Sequence, residues 1–161
     1  MANFTGANVI TTSDVLKYQP DAFDFGISTS STETTNFLLQ TTNDILRQLR
    51  IEWFPTYKTN VYTDITVLNT VEMDNTKVNL DQFERAGVYL FLGRFYLPAL
   101  TKFRPETEKD RFERMAEYYM AEYNKEFRSI LEDGVEYDST SDGTIVSSER
   151  ESLHGYRRLN R

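Results

Sequence analysis

Between Phe112 and Leu131 the apolar residues recur at steps of three, four and seven: Phe112, Met115, Ala116, Tyr119, Met120, Tyr123, Phe127, Ile130 and Leu131. That spacing lays one continuous stripe along an α-helix. Glu113, Arg114, Glu117, Glu122, Lys125, Glu126 and Arg128 fall largely on the opposite side. Thr107, with Asp110 three residues on, marks a start, and Gly134 supplies a stop. In a chain of 161 residues a helix this long must be a main packing element. The rest of the sequence has to supply the surface that covers its stripe, so the Met and Tyr side chains read as core.

Three other stretches offer such a surface. Residues 10–18 read as a short helix capped by Thr12 or Ser13 and ended by Pro20, followed by a packed loop anchored on Phe23 and Phe25. A second helix spans about 32–54, with Leu38, Ile45, Leu46, Leu49 and Trp53 inward and Pro55 just past its end. Its first half is rich in Thr and Asn, where helix propensity is poor. A third helix starts at Asn79, with Gln82 in a capping-box position, and Pro98 kinks or ends it. Leu80, Phe83, Gly87, Leu90, Phe91 and Leu97 line one side of that helix, and Val88, Leu92, Phe95 and Tyr96 make it apolar over much of its girth. Between the second and third helices, residues 60–68 alternate like a strand, and Asp74-Asn75 is a turn signal for a small hairpin. The expected fold is mainly α: a bundle of three to four helices with a small β excursion and an extended C-terminal arm. Trp53, Phe91 and Phe127 are expected where the three helices meet.

Composition excludes several classes. With 39% hydrophobic and 14% aromatic residues the chain is globular. It has no cysteine, hence no disulfide and no thiolate metal site. No apolar run approaches a membrane span and no signal-peptide layout opens the chain, so a soluble protein made in a cytoplasm is expected. A net charge of −7 argues against nucleic-acid binding. The balance is uneven, because residues 150–161 hold four Arg and one Glu. An acidic body of residues 1–149 with a basic arm of residues 150–161 suggests that the arm docks on an acidic surface elsewhere. From Ser147 onward there is too little apolar content to expect packing on the chain's own body.

Chemistry-bearing patterns are few. The one histidine, His154, lies in a polar segment with nothing nearby to orient it as a base. No phosphate loop, HExxH or Gly-x-Ser-x-Gly occurs, and no carboxylate pair stands in an apolar setting, so no enzyme is expected. Residues 138–149 do match the twelve-position calcium loop. Asp138, Thr140 and Asp142 stand at one, three and five, Gly143 at the turn, the Thr144 carbonyl at seven, and Glu149 at twelve. A hard cation wants several oxygens, and the Gly permits the turn that gathers them. Thr140 stands where Asp or Asn is usual, which leaves three carboxylates and implies weak affinity, about 10⁻⁴ to 10⁻³ M. The competing reading is that Ser-Asp-Gly simply turns well.

The order of these features resembles the head–tail connector (adaptor) proteins of tailed bacteriophages. The matching pieces are residues 10–18, ITTSDVLKY, then residues 43–50, NDILRQLR, followed by Trp53-Phe54. After them come the helix of residues 83–95, the aromatic helix running through Phe127 to Gly134 and Asp138, and the closing Arg157-Arg158-Leu159-Asn160-Arg161. The resemblance spans most of the chain in order and pattern. The Thr- and Asn-rich second helix departs from it, since Ala and Glu are expected there. It implies a non-enzymatic subunit in a ring, commonly twelve-fold, beneath the portal protein in the virion neck, with further neck or tail proteins below. No organic cofactor is required, although Ca²⁺ is a candidate ligand. Tyr156, Arg157, Arg158, Leu159 and Arg161 are then the portal-docking residues, with Tyr156 and Leu159 as anchors among arginine forks. The rival readings are a calcium-dependent interaction module centred on residues 138–149 and an acidic regulatory protein that inhibits one partner.

Overall fold

The stripe folds as its spacing requires. A helix, here α7, runs Arg111–Asp133, and Ala116, Tyr119, Tyr123, Phe127, Ile130 and Leu131 are buried along it. The structure, a computed structural model, describes residues 8–101 and 111–152. The expected start at Thr107 and Asp110, His154 and the whole docking set Tyr156 to Arg161 lie outside the described residues. Gly134 ends α7 with φ +109, a conformation L side chains rarely adopt.

The other helices are α1 (Thr12–Tyr18), α2 (Thr32–Glu52), α3 (Phe54–Val61), α4 (Ile65–Thr70), α5 (Glu84–Leu90) and α6 (Leu97–Leu100). Short 3₁₀ turns lie among them, and one two-stranded antiparallel ladder joins β1 (Val135–Glu136) to β2 (Arg150–Glu151). The fold is mainly α with a small β element, as expected. The backbone forms two compact units. Among the described residues one comprises 44–82 and 128–152, the other 8–43, 83–101 and 111–127.

The second of these units is an aromatic core. Phe91 packs with Phe23, Phe37 and Tyr96, while Phe127 packs with Phe83 and Tyr123. The Tyr96 hydroxyl donates to the Ile27 carbonyl, at 3.1 Å. α1 is capped by Thr11, one residue before the expected Thr12 or Ser13, and the cap is a capping box: Thr11 Oγ1 accepts from the Asp14 N–H, and Asp14 Oδ2 accepts from the Thr11 N–H. The poor helix formers of α2 have an account here. Thr34, Thr41 and Thr42 are buried, with hydroxyls donating to the carbonyls of Ser28, Phe37 and Leu38. Packing and satisfied hydroxyls outweigh propensity.

Between α5 and α6, residues 91–96 form a π-helical turn in which the Leu97 N–H reaches the Leu92 carbonyl. Pro98 follows; it has no N–H to give to the preceding turn, and its ring crowds the carbonyl four residues back, which a widened turn relieves. Gly93 sits in this turn against α7. A Cβ there would stand 2.9 Å from both Met120 Cγ and the Met120 backbone nitrogen. Glycine lets the two backbones approach.

In the first unit Trp53 is fully buried among Phe54, Tyr57 and Tyr137, with ring centroids 4.8 Å apart for Trp53–Tyr57 and 5.6 Å for Trp53–Tyr137. Trp53, Phe91 and Phe127 are all buried, as expected. Pro55 does not simply end a helix: α2 stops at Glu52, and Pro55 lies in the first turn of α3, where its missing N–H costs nothing.

Residues 60–68 are a clear correction. No strand forms there; the segment ends α3 and opens α4, whose N-cap Asp64 accepts from the Thr66 N–H at 2.8 Å. Alternation signals a strand only when one face is buried, and residues 59–71 are exposed or half-buried throughout. The turn at Asp74-Asn75 exists as a 3₁₀ turn capped by Asp74, but it joins no hairpin. The β element lies instead at β1–β2, with an isolated bridge between Val78 and Tyr137. Gln82 makes no capping box; both ends of its amide hold β1, donating to the Gly134 carbonyl and accepting from the Glu136 N–H.

Candidate functional site: the loop between the two strands

Tyr137 leaves β1 with its N–H bonded to the Glu149 carbonyl, and the Asp138 N–H bonds to the Lys77 carbonyl at 2.8 Å. These two bonds fix both ends of the loop, so Asp138 and Glu149 are forced inward. Their residues are only 4% and 5% exposed. A buried carboxylate needs donors, and the loop supplies them from its own chain.

Asp138 Oδ2 accepts from the Gly143 N–H at 2.9 Å, and Oδ1 accepts from the Asp142 N–H at 3.2 Å. Glu149 Oε1 accepts from the Ser139 hydroxyl at 2.9 Å and the Thr140 N–H at 3.1 Å, while Oε2 accepts from the Val146 N–H at 3.2 Å. The Thr140 hydroxyl lies 3.3 Å from Asp138 Oδ1 and 3.2 Å from Glu149 Oε1. It has one hydrogen for two acceptors. Burial pushes the Glu149 carboxyl up, but the Val146, Ser139 and Thr140 donors outweigh it and hold the group below the usual carboxylate range. Asp142 is exposed and turned to Thr144, whose hydroxyl and N–H also hold its carboxyl low.

Of the candidate calcium ligands, the structure therefore brings Asp138, Thr140 and Glu149 to one point, while the Asp142 carboxyl is held mainly by Thr144 and also by the Thr140 side chain. Among the described residues no group of three or more His, Cys, Asp or Glu side chains is placed to hold a metal ion. The oxygens that a cation would need are engaged by N–H and O–H donors, and binding would have to displace them.

The sequence reading missed what anchors the strand that follows. The Trp53 Nε1–H donates to the Glu151 carbonyl at 2.8 Å, across 98 residues of sequence. A buried indole N–H usually finds an acceptor, and that tendency was the available signal. Arg150 pairs with Glu136 across the ladder, and Ser152 is buried. The segment from Ser147 onward was expected to lack the means to pack; of it the structure describes residues 147–152, and these pack through backbone pairing and one indole bond, which need no apolar side chains of their own. Residues 150 and 151 thus belong structurally to the hairpin, and the described anchor ends at Ser152. No helix of the described residues is long and apolar enough to cross a membrane.

Compared with known proteins, the chain matches no protein-family model, no characterised protein and no solved structure at a significant level.

Proposed function

We propose that this chain is a non-enzymatic structural protein of a tailed-phage virion, a head–tail connector that forms a ring beneath the portal and joins the capsid to the tail. The support is the order of sequence features, read together with a mainly helical fold. One structural observation carries the reading further. The hairpin, the Trp53–Glu151 bond and buried Ser152 hold the chain in place directly ahead of its basic end, Tyr156 to Arg161. A fixed root lets a short terminal segment bind a partner with less loss of freedom than a segment rooted in a loose tail. Arginine forks suit a carboxylate-rimmed groove, and a ring repeats the contact once per subunit, so weak single contacts add up.

Truncation after Ser152 tests this reading. The body should keep its circular dichroism spectrum while binding to purified portal rings is lost, and infected cells should accumulate filled heads without tails. Normal affinity of the truncated protein for portals would overturn the docking role.

A calcium-dependent interaction module is the second reading. It is favoured by the convergence of Asp138, Thr140 and Glu149, positions one, three and twelve of the loop, on a single hydroxyl. Calorimetric titration with calcium, repeated on Asp138→Ala, decides it: heat that the variant abolishes supports a bound ion, and no heat at millimolar calcium removes the reading.

A further inference from the structure

The chain holds two Asp–Gly pairs, Asp133-Gly134 and Asp142-Gly143. Such a pair carries its own chemistry, because a glycine without Cβ leaves its nitrogen unhindered. That nitrogen attacks Cγ of the aspartic acid before it. A C–N bond forms, the Cγ–OH bond breaks, and the hydroxyl leaves with the amide proton as water. Water then opens the five-membered succinimide at its backbone carbonyl, and the chain continues through the former side chain as isoaspartate. Mass is unchanged overall, and no co-reactant but water is needed.

The two pairs are guarded differently. The Gly134 N–H closes the last turn of α7 on the Ile130 carbonyl at 3.0 Å, and a Cβ there would meet Arg150 of β2 at 3.4 Å. Helix and ladder together hold it. Asp142 and Gly143 are exposed, and a Cβ on Gly143 would meet nothing within 4 Å, so a ring has room to close. Here one side chain holds the attacking nitrogen, whose N–H donates to Asp138 Oδ2 at 2.9 Å. Attack needs that nitrogen to turn toward Cγ and give up its proton, and the bond opposes both. Asp138 Oδ1 takes the Asp142 N–H as well, at 3.2 Å, so a single carboxylate clamps both peptide nitrogens of the pair. Just before them Ser141 stands at φ 59, a conformation that non-glycine residues rarely adopt. Its strain is a further reason for the loop to open once the clamp is lost.

We propose that Asp142 is a latent modification site, converted to isoaspartate, and that the Asp138 carboxylate is the guard that keeps this conversion slow in the folded protein. The conversion lengthens the backbone by one atom. It also moves the carboxylate that accepts from the Thr144 N–H and hydroxyl, so the loop cannot close again as before.

The full chain is aged folded and in denaturant, and isoaspartate at positions 133 and 142 is read by electron-transfer mass spectrometry of its peptides. In denaturant both pairs should convert. Folded, residue 142 should convert at least about tenfold more slowly, a ratio that one bond to a charged acceptor supports. Asp138→Ala should bring residue 142 alone back toward the denatured rate. Glu149→Gln disturbs the other end of the loop and leaves the Gly143 bond in place, so it should change the rate at 142 little. Equal rates at 142 in folded and denatured wild type, no acceleration in Asp138→Ala, or equal acceleration by Glu149→Gln overturns the proposal. If Asp138→Ala releases residue 133 as well, the variant has lost its fold, and amide exchange at Gly143 in the wild type decides. Protection there supports the guard, and exchange at the denatured rate overturns it.

Discussion

The aromatic box around Trp53 and the polar loop of residues 138–149 share one unit and are joined at Tyr137, yet opposite chemistries hold them. The box consists of rings in contact, and burial raises the Tyr57 and Tyr137 hydroxyls above the ordinary tyrosine range, Tyr57 the further. Neither hydroxyl ionises at any pH the protein meets. The loop consists of carboxylates whose charge is the glue. One region should therefore respond to lost volume and ignore acid; the other should respond to acid and tolerate changes of volume. Adjacent segments of one chain can thus fail independently.

The largest expected effect breaks the box. Trp53→Ala should cost about 3–5 kcal/mol in urea unfolding, and Phe127→Ala in the other unit a similar amount. Each loss should be nearly the same at neutral and mildly acid pH. A loss below about 1 kcal/mol would mean that these rings face water or a partner.

Next comes the loop. Glu149→Gln keeps the volume but turns an amide NH₂ toward the Val146 N–H, at a cost of about 1–3 kcal/mol. Its pH signature distinguishes it from the box. Glu149 has a folded pKa below its ordinary value of 4.5, so its contribution is fully present above that value and disappears as pH falls through the folded pKa. Between pH 5 and 3, roughly, the wild type should lose stability more steeply than Glu149→Gln. Parallel curves would show that the carboxylate is not what holds the loop.

A smaller change probes the bond that ties the strand after the loop to the box. Trp53→Phe keeps a ring but removes the Nε1–H donor to Glu151, costing about 0.5–1.5 kcal/mol for the bond itself, and a further amount for the smaller ring. Amide exchange at Glu151 and Ser152 should accelerate more than exchange within α7. Uniform acceleration would mean that the indole contributes bulk alone.

The smallest effect is calcium. At a calcium concentration equal to its dissociation constant, a single site adds only about 0.4 kcal/mol. Thermal melts with calcium and with magnesium should then differ slightly and only while Asp138 is present. A shift of several degrees would place the loop in a different affinity class.

The sequence made the helices legible because buried stripes leave a period: Leu38, Ile45, Leu46, Leu49 and Trp53 face inward as their spacing requires. It misled at residues 60–68, where a period of two appeared without any buried face to cause it. Gln82 stood at the right spacing for a capping box, but spacing does not reveal that a distant strand competes for the same amide. The acidic loop was found by its pattern of oxygens. The donors that engage those oxygens are mostly backbone N–H groups, which every residue carries and no sequence displays.

The Trp53–Glu151 bond also bears on how the chain is made. During synthesis residues 44–82 emerge long before residues 128–152, so the unit they share cannot close until residues 128–152 have left the ribosome. Until then Trp53, Phe54 and Tyr57 have no Tyr137 to cover them, and an exposed aromatic cluster waits on a growing chain. A ribosome that stalls before residue 137 would therefore release a sticky fragment, and late completion is a hazard this topology carries at every round of translation.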